Sequence, residues 1–125
     1  MKISEQSQRQ LKVSEEIRRV IAKSLLKDDL FIHGLKSSFI QITHANISPD
    51  LTYVAFFVNC VGNVDTDEQI KLLNNHKGVF RYIIGKSVRL RTVPDIVFKK
   101  DMSFEKADHI EALLNTPHVK QDLDG

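Results

Sequence analysis

The chain has little cysteine, glycine or proline, no tryptophan and no long hydrophobic run. Its 125 residues include one cysteine, five glycines and three prolines. The single Cys60 excludes an internal disulfide framework and is typical of a reducing compartment. No apolar run is long enough to cross a bilayer, and the N-terminus has no apolar signal region. We therefore expect a cytoplasmic protein that makes no membrane contact.

The remaining composition is that of one globular domain. Hydrophobic residues make up 42% and charged residues 27% of the chain, which is ordinary for a folded soluble protein. A chain of this length buries about two-thirds of its unfolded surface when it folds. The sequence predicts a domain over residues 1–116 and a flexible tail over residues 117–125, because Pro117 ends the last helical pattern.

Positive and negative charges are segregated along the chain, although the net charge is only +2. Residues 1–27 and 71–100 are basic, and the second of these segments contains eight basic residues and one acidic residue. Residues 28–70 and 101–125 are acidic. Such a pattern can form one basic face that steers a polyanion to a chosen side. An ordinary solvated surface on which the charges balance stays open as the alternative.

The N-terminal third predicts a helix followed by a hairpin. Residues from about Glu5 to Lys27 have an apolar stripe of helical spacing, with basic residues beside it or facing away from it. Ser38–Ile47 and Thr52–Cys60 have the period of strands, and the short turn Ser48–Asp50 between them predicts an antiparallel pair. The second of these runs is the most apolar in the chain and suits a central strand.

The stretch from Leu72 to Leu90 carries the most distinctive pattern. Asp65 is positioned to cap a helix that we expect to break at Gly78, and any side chain added at Gly78 should strain this kink. A second short helix should end near Gly85. Basic residues gather at and after the break: Lys77, Arg81, Lys86, Arg89 and Arg91. A kinked helix pair that exposes N–H groups beside basic side chains is suited to a phosphate backbone.

Alternating apolar and basic residues over Val88–Arg91 predict a third strand with a basic exposed face. Pro94 should interrupt it before Ile96–Phe98, which favours an edge strand or a bulge. A helical crossover permits the second and third strands to be parallel. A last helix should begin at Ser103 and extend to Leu114.

These elements predict an α+β fold: a three-stranded mixed sheet covered by helices on one face. The order is helix, strand, strand, helix, kink, helix, strand, with a C-terminal helix added. This is the layout of the second type of K homology domain, a nucleic-acid-binding module. The signature loop of that module, two glycines separated by two residues, is missing.

Most enzyme chemistry has no motif here. The chain lacks a phosphate loop, a nucleophile elbow and a dinucleotide fingerprint, and no two histidines stand three or four residues apart. We expect no metal, no cofactor and no catalytic residue. A small α+β enzyme that uses His76 or the pair Asp108 and His109 stays open as an alternative. So do a general single-strand RNA binder and a protein-interaction module.

Several segments, in order and spacing, resemble the ribosome-binding factor A family. The resemblance extends from about Arg9 to Leu114. The matching segments are Ser48–Ala55, Gly78–Arg81, Leu90–Phe98 and Asp101–Ser103. It implies a K homology fold of the second type, in which an alanine-x-glycine kink replaces the glycine-rich loop. Here that triplet is His76-Lys77-Gly78, so histidine stands where the family usually has alanine.

The resemblance also implies a function. Members of this family bind the small (30S) ribosomal subunit and contact its 16S rRNA late in assembly. They help to mature the 5′ end of that RNA, support growth in the cold and leave with help from a GTPase; they are not enzymes. We therefore expect a monomeric K homology-like RNA-binding assembly factor. The expected RNA contacts are Lys77, Arg81, Lys86, Arg89 and Arg91, with a second group of Arg18, Arg19 and Lys23.

Overall fold

Three helices and a three-stranded sheet follow one another in the predicted order. A computed structural model of the chain describes residues 7–27 and 30–103. The elements are α1 (Gln8–Lys27), β1 (Ile40–Ile47), β2 (Tyr53–Cys60), α2 (Thr66–Asn75), α3 (Lys77–Ser87) and β3 (Asp95–Lys100), with a short 3-10 turn at Ser37–Phe39. The predicted last helix, apart from Ser103, and the predicted tail lie outside the described residues. No helix in the described ranges combines the length and apolarity needed to span a bilayer.

The sheet has the predicted topology, with β2 between β1 and β3. β1 and β2 are antiparallel, and β2 and β3 are parallel. The parallel pair is possible because α2 and α3 carry the chain back across the sheet before β3 begins. The prediction of an α+β fold with a mixed three-stranded sheet is confirmed.

The core lies between one face of the sheet and the helices. Val54, Phe56 and Val58 alternate along β2 and are fully buried. Phe98 of β3 packs between two aromatic rings, at 5.3 Å from the centroid of Phe56 and 5.2 Å from that of Phe80 on α3. The two-residue period of the strand explains this arrangement, because every second side chain points toward the helices.

The predicted strand at Val88–Arg91 is wrong. Residues 88–94 form a loop, and β3 begins after Pro94. Val88 ends α3 by donating its N–H to the carbonyl of Ile84 at 2.8 Å. Val88 is buried and Leu90 is half-buried, so the alternation reflects a loop anchored by two apolar side chains.

The helix break is at His76, two residues before the predicted position. His76 has φ −120° and ψ 32°, and its N–H donates to the carbonyl of Leu73. Its ring Nδ1 lies 2.9 Å from the carbonyl oxygen of Leu72 and donates to it, because a carbonyl only accepts. This side-chain bond satisfies a carbonyl at the end of α2 and stabilises the break.

Gly78 lies in the first turn of α3, so the expected strain at this position is also wrong. A Cβ atom placed on Gly78 meets nothing within 4 Å, and its backbone is not in the left-handed region. The second helix also continues past Gly85 to Ser87. The predicted cap of α2 is confirmed, since the Asp65 carboxylate accepts from the N–H of Glu68 at 3.3 Å.

Candidate nucleic-acid interface

The outer face of α3 is free of carboxylates. Its eleven residues contain three basic and no acidic side chains. Phe80 and Ile84 fill the core, which turns Gly78, Tyr82 and Lys86 toward solvent at a spacing of four residues. The Lys86 ammonium lies 5.3 Å from the centre of the Tyr82 ring, within the range of a cation–π contact.

Arg81 is held by the segment that precedes β3. Its Nε donates to the carbonyl of Pro94 and its Nη2 to that of Val93, both at 3.0 Å. Nη2 is also 3.9 Å from a carboxylate oxygen of Asp95. With 42% of the side chain exposed, the guanidinium both fastens α3 to β3 and remains accessible at one edge.

The expected basic residues of α3 lie on different sides of this helix. Lys77 and Lys86 are nine residues apart on this helix, which is about two and a half turns and places them on opposite sides. Lys77 and Arg81 are one turn apart and share the β3 side. Lys77 and Arg81 therefore do not share a patch with Lys86, whereas the contact of all five residues with RNA stays a prediction.

Arg89 and Arg91 are exposed on the loop between α3 and β3. Arg91 lines a cleft of about 380 Å³ together with Arg9 at the start of α1 and Asp50 of the β1–β2 turn. Hydrogen bonds from the hydroxyls of Thr52 and Ser48 and from the Thr52 N–H keep the pKa of Asp50 below its usual range. The cleft therefore presents two guanidinium groups and one carboxylate that is already hydrogen-bonded.

Arg18 faces the opposite side of α1, along the edge of β1. Its guanidinium pairs with Glu15 at 2.5 Å, and Nη1 lies 3.4 Å from the carbonyl of Ile42. The hydrogen bond from Arg18 keeps the pKa of Glu15 below its usual value. Arg19 is more exposed and lies 3.7 Å from the same carboxylate. The second predicted group is thus split, because Lys23 lies on the other flank of α1.

Lys23 faces α3 across a shallow groove. Lys23 and Lys27 of α1 line it together with Ser87 at the end of α3, and its volume is about 240 Å³. The chain passes from Ser87 in this groove to Arg91 in the cleft beside Arg9, so Arg89 lies between the two. Three cations of α1, one near the end of α3 and two of the adjoining loop therefore lie along this side of the fold. We call them the basic strip: Arg9, Lys23, Lys27, Lys86, Arg89 and Arg91.

Arg9 and Lys27 were not among the predicted contacts. Both occur in the α1 pattern, on the flank between the buried stripe and solvent, and periodicity alone does not show which flank faces a neighbour. The signal available in the sequence was the helical spacing: Lys27 is four residues from Lys23 and eighteen residues, or five turns, from Arg9.

In the part of the chain that the structure describes, few side chains are placed for metal binding or acid–base catalysis. No group of three or more histidine, cysteine, aspartate or glutamate side chains there is placed to hold a metal ion. The Nδ1 of His76 is occupied by the Leu72 carbonyl. Burial raises the pKa of the Cys60 thiol, which keeps this group in its unreactive protonated form. Asp108 and His109 lie outside the described residues.

Comparison with known proteins shows one family. A family profile described as ribosome-binding factor A matches residues 9–114. The chain is 35% identical over 115 residues to ribosome-binding factor A of Zymomonas mobilis, covering 92% of this chain and 82% of the relative. It is 38% identical over 118 residues to that of Beijerinckia indica, covering 94% and 84%.

Solved structures show a similar fold. A Thermotoga maritima protein assigned as a ribosome binding factor A has a TM-score of 0.65 and 29% identity, over 77% of this chain and 90% of that one. The crystal structure of ribosome-binding factor A from Thermus thermophilus has a TM-score of 0.60 over 73% and 94%, at 13% identity. The second likeness concerns the fold alone.

Proposed function

The chain belongs to the ribosome-binding factor A family, and we propose that it is a non-enzymatic assembly factor for the small (30S) ribosomal subunit. In this proposal it binds the 16S rRNA late in maturation and assists processing of the 5′ end. It supports growth in the cold and leaves the subunit with help from an assembly GTPase. It acts as a cytoplasmic monomer with a K homology-like RNA-binding domain and needs no cofactor.

The family match over residues 9–114 carries this proposal, because it includes every described helix and strand almost completely. The basic strip supplies a physical mechanism. Cations that lie along one side of a rigid fold neutralise successive phosphates and release their counterions. A folded protein that binds one arrangement of the RNA more tightly than others increases the population of that arrangement.

The predicted contacts have different roles in this mechanism. Lys23, Lys86, Arg89 and Arg91 belong to the basic strip, and we assign phosphate contacts to them. Arg18 already has a carboxylate and a carbonyl as partners, so its main role is to hold α1 on β1. We add Arg9 and Lys27, which share the flank of Lys23, as further contacts. Lys77, Arg81 and Arg19 stay predicted contacts on other sides of the helices.

Co-sedimentation with purified 30S subunits tests the proposal. The variant Arg89→Glu with Arg91→Glu reverses two charges of the basic strip, and we expect it to bind at least tenfold more weakly at physiological salt. Its matched control is Lys36→Glu with Lys71→Glu, which has the same net charge but changes exposed residues around α2. We expect the control to bind like the unchanged protein.

Equal binding by both variants would remove the basic strip as the RNA contact. If the unchanged protein bound an unstructured RNA as tightly as it binds 30S subunits, a general single-strand RNA binder would be favoured instead. Binding that survives nuclease treatment of the subunits would point to a ribosomal protein as the partner.

A further inference from the structure

Tyr82 has an unusual environment on the surface of α3. Its side chain is 67% exposed, although its neighbours Phe80 and Ile84 on the same helix are completely buried. A single exposed aromatic side chain is normal on a protein surface and by itself indicates nothing. The residues around this ring are what distinguish it.

Two of the four helix positions nearest to Tyr82 are glycines. On a helix, the side chains three and four residues away in either direction are the nearest neighbours of a residue. Gly78 at i−4 and Gly85 at i+3 have no side chains that could cover the ring, and Val79 at i−3 is half-buried against the core. At Gly85 a Cβ atom would lie 3.1 Å from Cγ2 of Val93, so the Val93 side chain would have to move by a few tenths of an ångström. At Gly78 a Cβ atom would meet nothing within 4 Å, so packing within the protein gives no reason for glycine there.

A cation stands at the remaining neighbouring position, i+4. Lys86 follows Tyr82 by four residues, and its Nζ lies 5.3 Å from the ring centroid. Lys86 is also part of the basic strip, and α3 contains no acidic residue. A planar ring that is 67% exposed therefore stands beside a positive charge on the side where, in the proposed function, the RNA backbone passes.

An unpaired nucleobase matches this environment. A base can lie flat on an aromatic ring, and RNA-binding proteins recognise unstacked bases in this way. A paired base within a helix has both faces occupied by its neighbours and cannot do so. The adjacent phosphate would lie within reach of the flexible Lys86 side chain.

We propose that Tyr82 stacks on one unpaired base of the bound RNA while Lys86 neutralises a neighbouring phosphate. The inference rests on the proposed function and makes it more specific. It requires the RNA at α3 to be a loop, bulge or single-stranded end rather than a continuous double helix. Tyr82 is then a contact of the proposed interface that the distribution of basic residues does not reveal.

Binding to 30S subunits and to protein-free 16S rRNA tests this proposal through three substitutions. Tyr82→Phe keeps the ring and should bind within about twofold of the unchanged protein. Tyr82→Ala removes it and should weaken binding to both targets by roughly 5- to 150-fold, the range expected for one lost stacking contact. Tyr82→Leu keeps apolar volume without a flat ring and should bind nearly as weakly as Tyr82→Ala.

A matched control is Tyr53→Ala, which removes a tyrosine that is 45% exposed on the other face of the sheet. It should bind like the unchanged protein. Thermal melting should give similar midpoints for the Tyr82 variants, because this side chain contributes little to the core.

Three results would overturn the proposal. The first is unchanged binding by Tyr82→Ala, and the second is full binding by Tyr82→Leu. The third is a Tyr82→Ala variant that binds subunits more weakly but binds protein-free rRNA normally, because Tyr82 would then contact a ribosomal protein. The proposed function has a separate point of failure. If the unchanged protein did not bind 30S subunits at all, that function and this inference would both be wrong.

Discussion

The two glycines of α3 differ in how much space a side chain would have. A Cβ atom on Gly85 would lie 3.1 Å from the Val93 side chain, closer than such atoms normally approach. A Cβ atom on Gly78 would enter open space. Glycine is a poor helix former at both positions. Packing within the protein gives a reason for Gly85 but none for Gly78.

Alanine at these two positions should therefore have different effects on stability. We expect Gly78→Ala to raise the free energy of unfolding by up to about 1 kcal/mol, since alanine is favoured in a helix. Gly85→Ala gains the same helix propensity but pushes Val93 aside, and we expect it to be less stable than Gly78→Ala by about 1 kcal/mol or more. Urea denaturation followed by circular dichroism measures both.

Equal stability of the two variants would contradict this account of α3. If Gly78→Ala were the less stable of the pair, the break between α2 and α3 would depend on glycine as the sequence pattern predicted.

His76 shows why an unusual residue is tolerated at the break. The resemblance leads us to expect alanine at this position, and a bulky polar side chain could have changed how α2 and α3 meet. The ring instead bonds to the Leu72 carbonyl in the last turn of α2. A carbonyl at a helix end that would otherwise need water thus has a partner within the protein.

At the scale of whole elements, α2 and α3 are both tied to β3 by polar side chains. Asn74 of α2 donates to the carbonyl of Phe98 at 3.0 Å and accepts from its N–H at 2.8 Å, so one amide pairs with both backbone groups. Arg81 of α3 donates to Val93 and Pro94 just before the strand. These bonds hold the helix pair in register with the sheet edge.

Arg81 should therefore be more important for stability than the arginines of the loop. We expect Arg81→Ala to lower the free energy of unfolding by about 1–2 kcal/mol, because two carbonyls lose a charged donor. Arg81→Lys keeps the charge but cannot reproduce the forked geometry, so most of the loss should persist. Denaturant unfolding measures both variants.

Arg89→Ala is the control, since Arg89 is exposed on the loop; its stability should stay within about 0.5 kcal/mol of the unchanged protein. A fully stable Arg81→Ala would show that the bonds to Val93 and Pro94 contribute nothing. If Arg81→Lys bound 30S subunits better than Arg81→Ala but was no more stable, the guanidinium group would have a structural role and its positive charge a role in binding.

At the scale of the whole molecule, folding brings two basic segments of the chain together. Residues 1–27 supply α1 and residues 71–100 supply α3 and the following loop, and these elements pack side by side. Cations distant in sequence thus share one flank as the basic strip. The same packing turns Arg18 toward β1 and Arg81 toward β3, away from that strip.

The salt dependence of 30S binding should reveal the basic strip. A plot of log K against log salt concentration should become shallower by roughly 1.5 in the Arg89→Glu, Arg91→Glu variant, because each lost phosphate contact removes about 0.7–0.9 from the slope. The Lys36→Glu, Lys71→Glu control should keep the slope of the unchanged protein. Identical slopes for all three proteins would exclude Arg89 and Arg91 as phosphate contacts.

Much of the fold was predictable from local pattern. The two-residue period of β2, the cap at Asp65 and the helical crossover were sufficient for the α+β class and the strand order. The misplaced third strand has a clear cause: Val88 and Leu90 alternate with arginines, and a loop anchored by two apolar side chains has the same pattern as a strand. The break was misplaced because glycine has the poorer helix propensity, whereas the side chain of His76 makes the bond that stabilises it.

The candidate site depended far more on three-dimensional structure. By itself, the sequence determined which segments are helices and strands, which faces are apolar and which segments carry positive charge, because these properties depend on neighbours a few residues away. Only the tertiary structure decided which side of a helix each cation occupies and whether it has a partner. The rotation of α1 and α3 is set by packing against the sheet. Arg18 can be paired with Glu15 from helical spacing alone, but its carbonyl contact at Ile42, and those of Arg81 at Val93 and Pro94, are more than ten residues away in the chain.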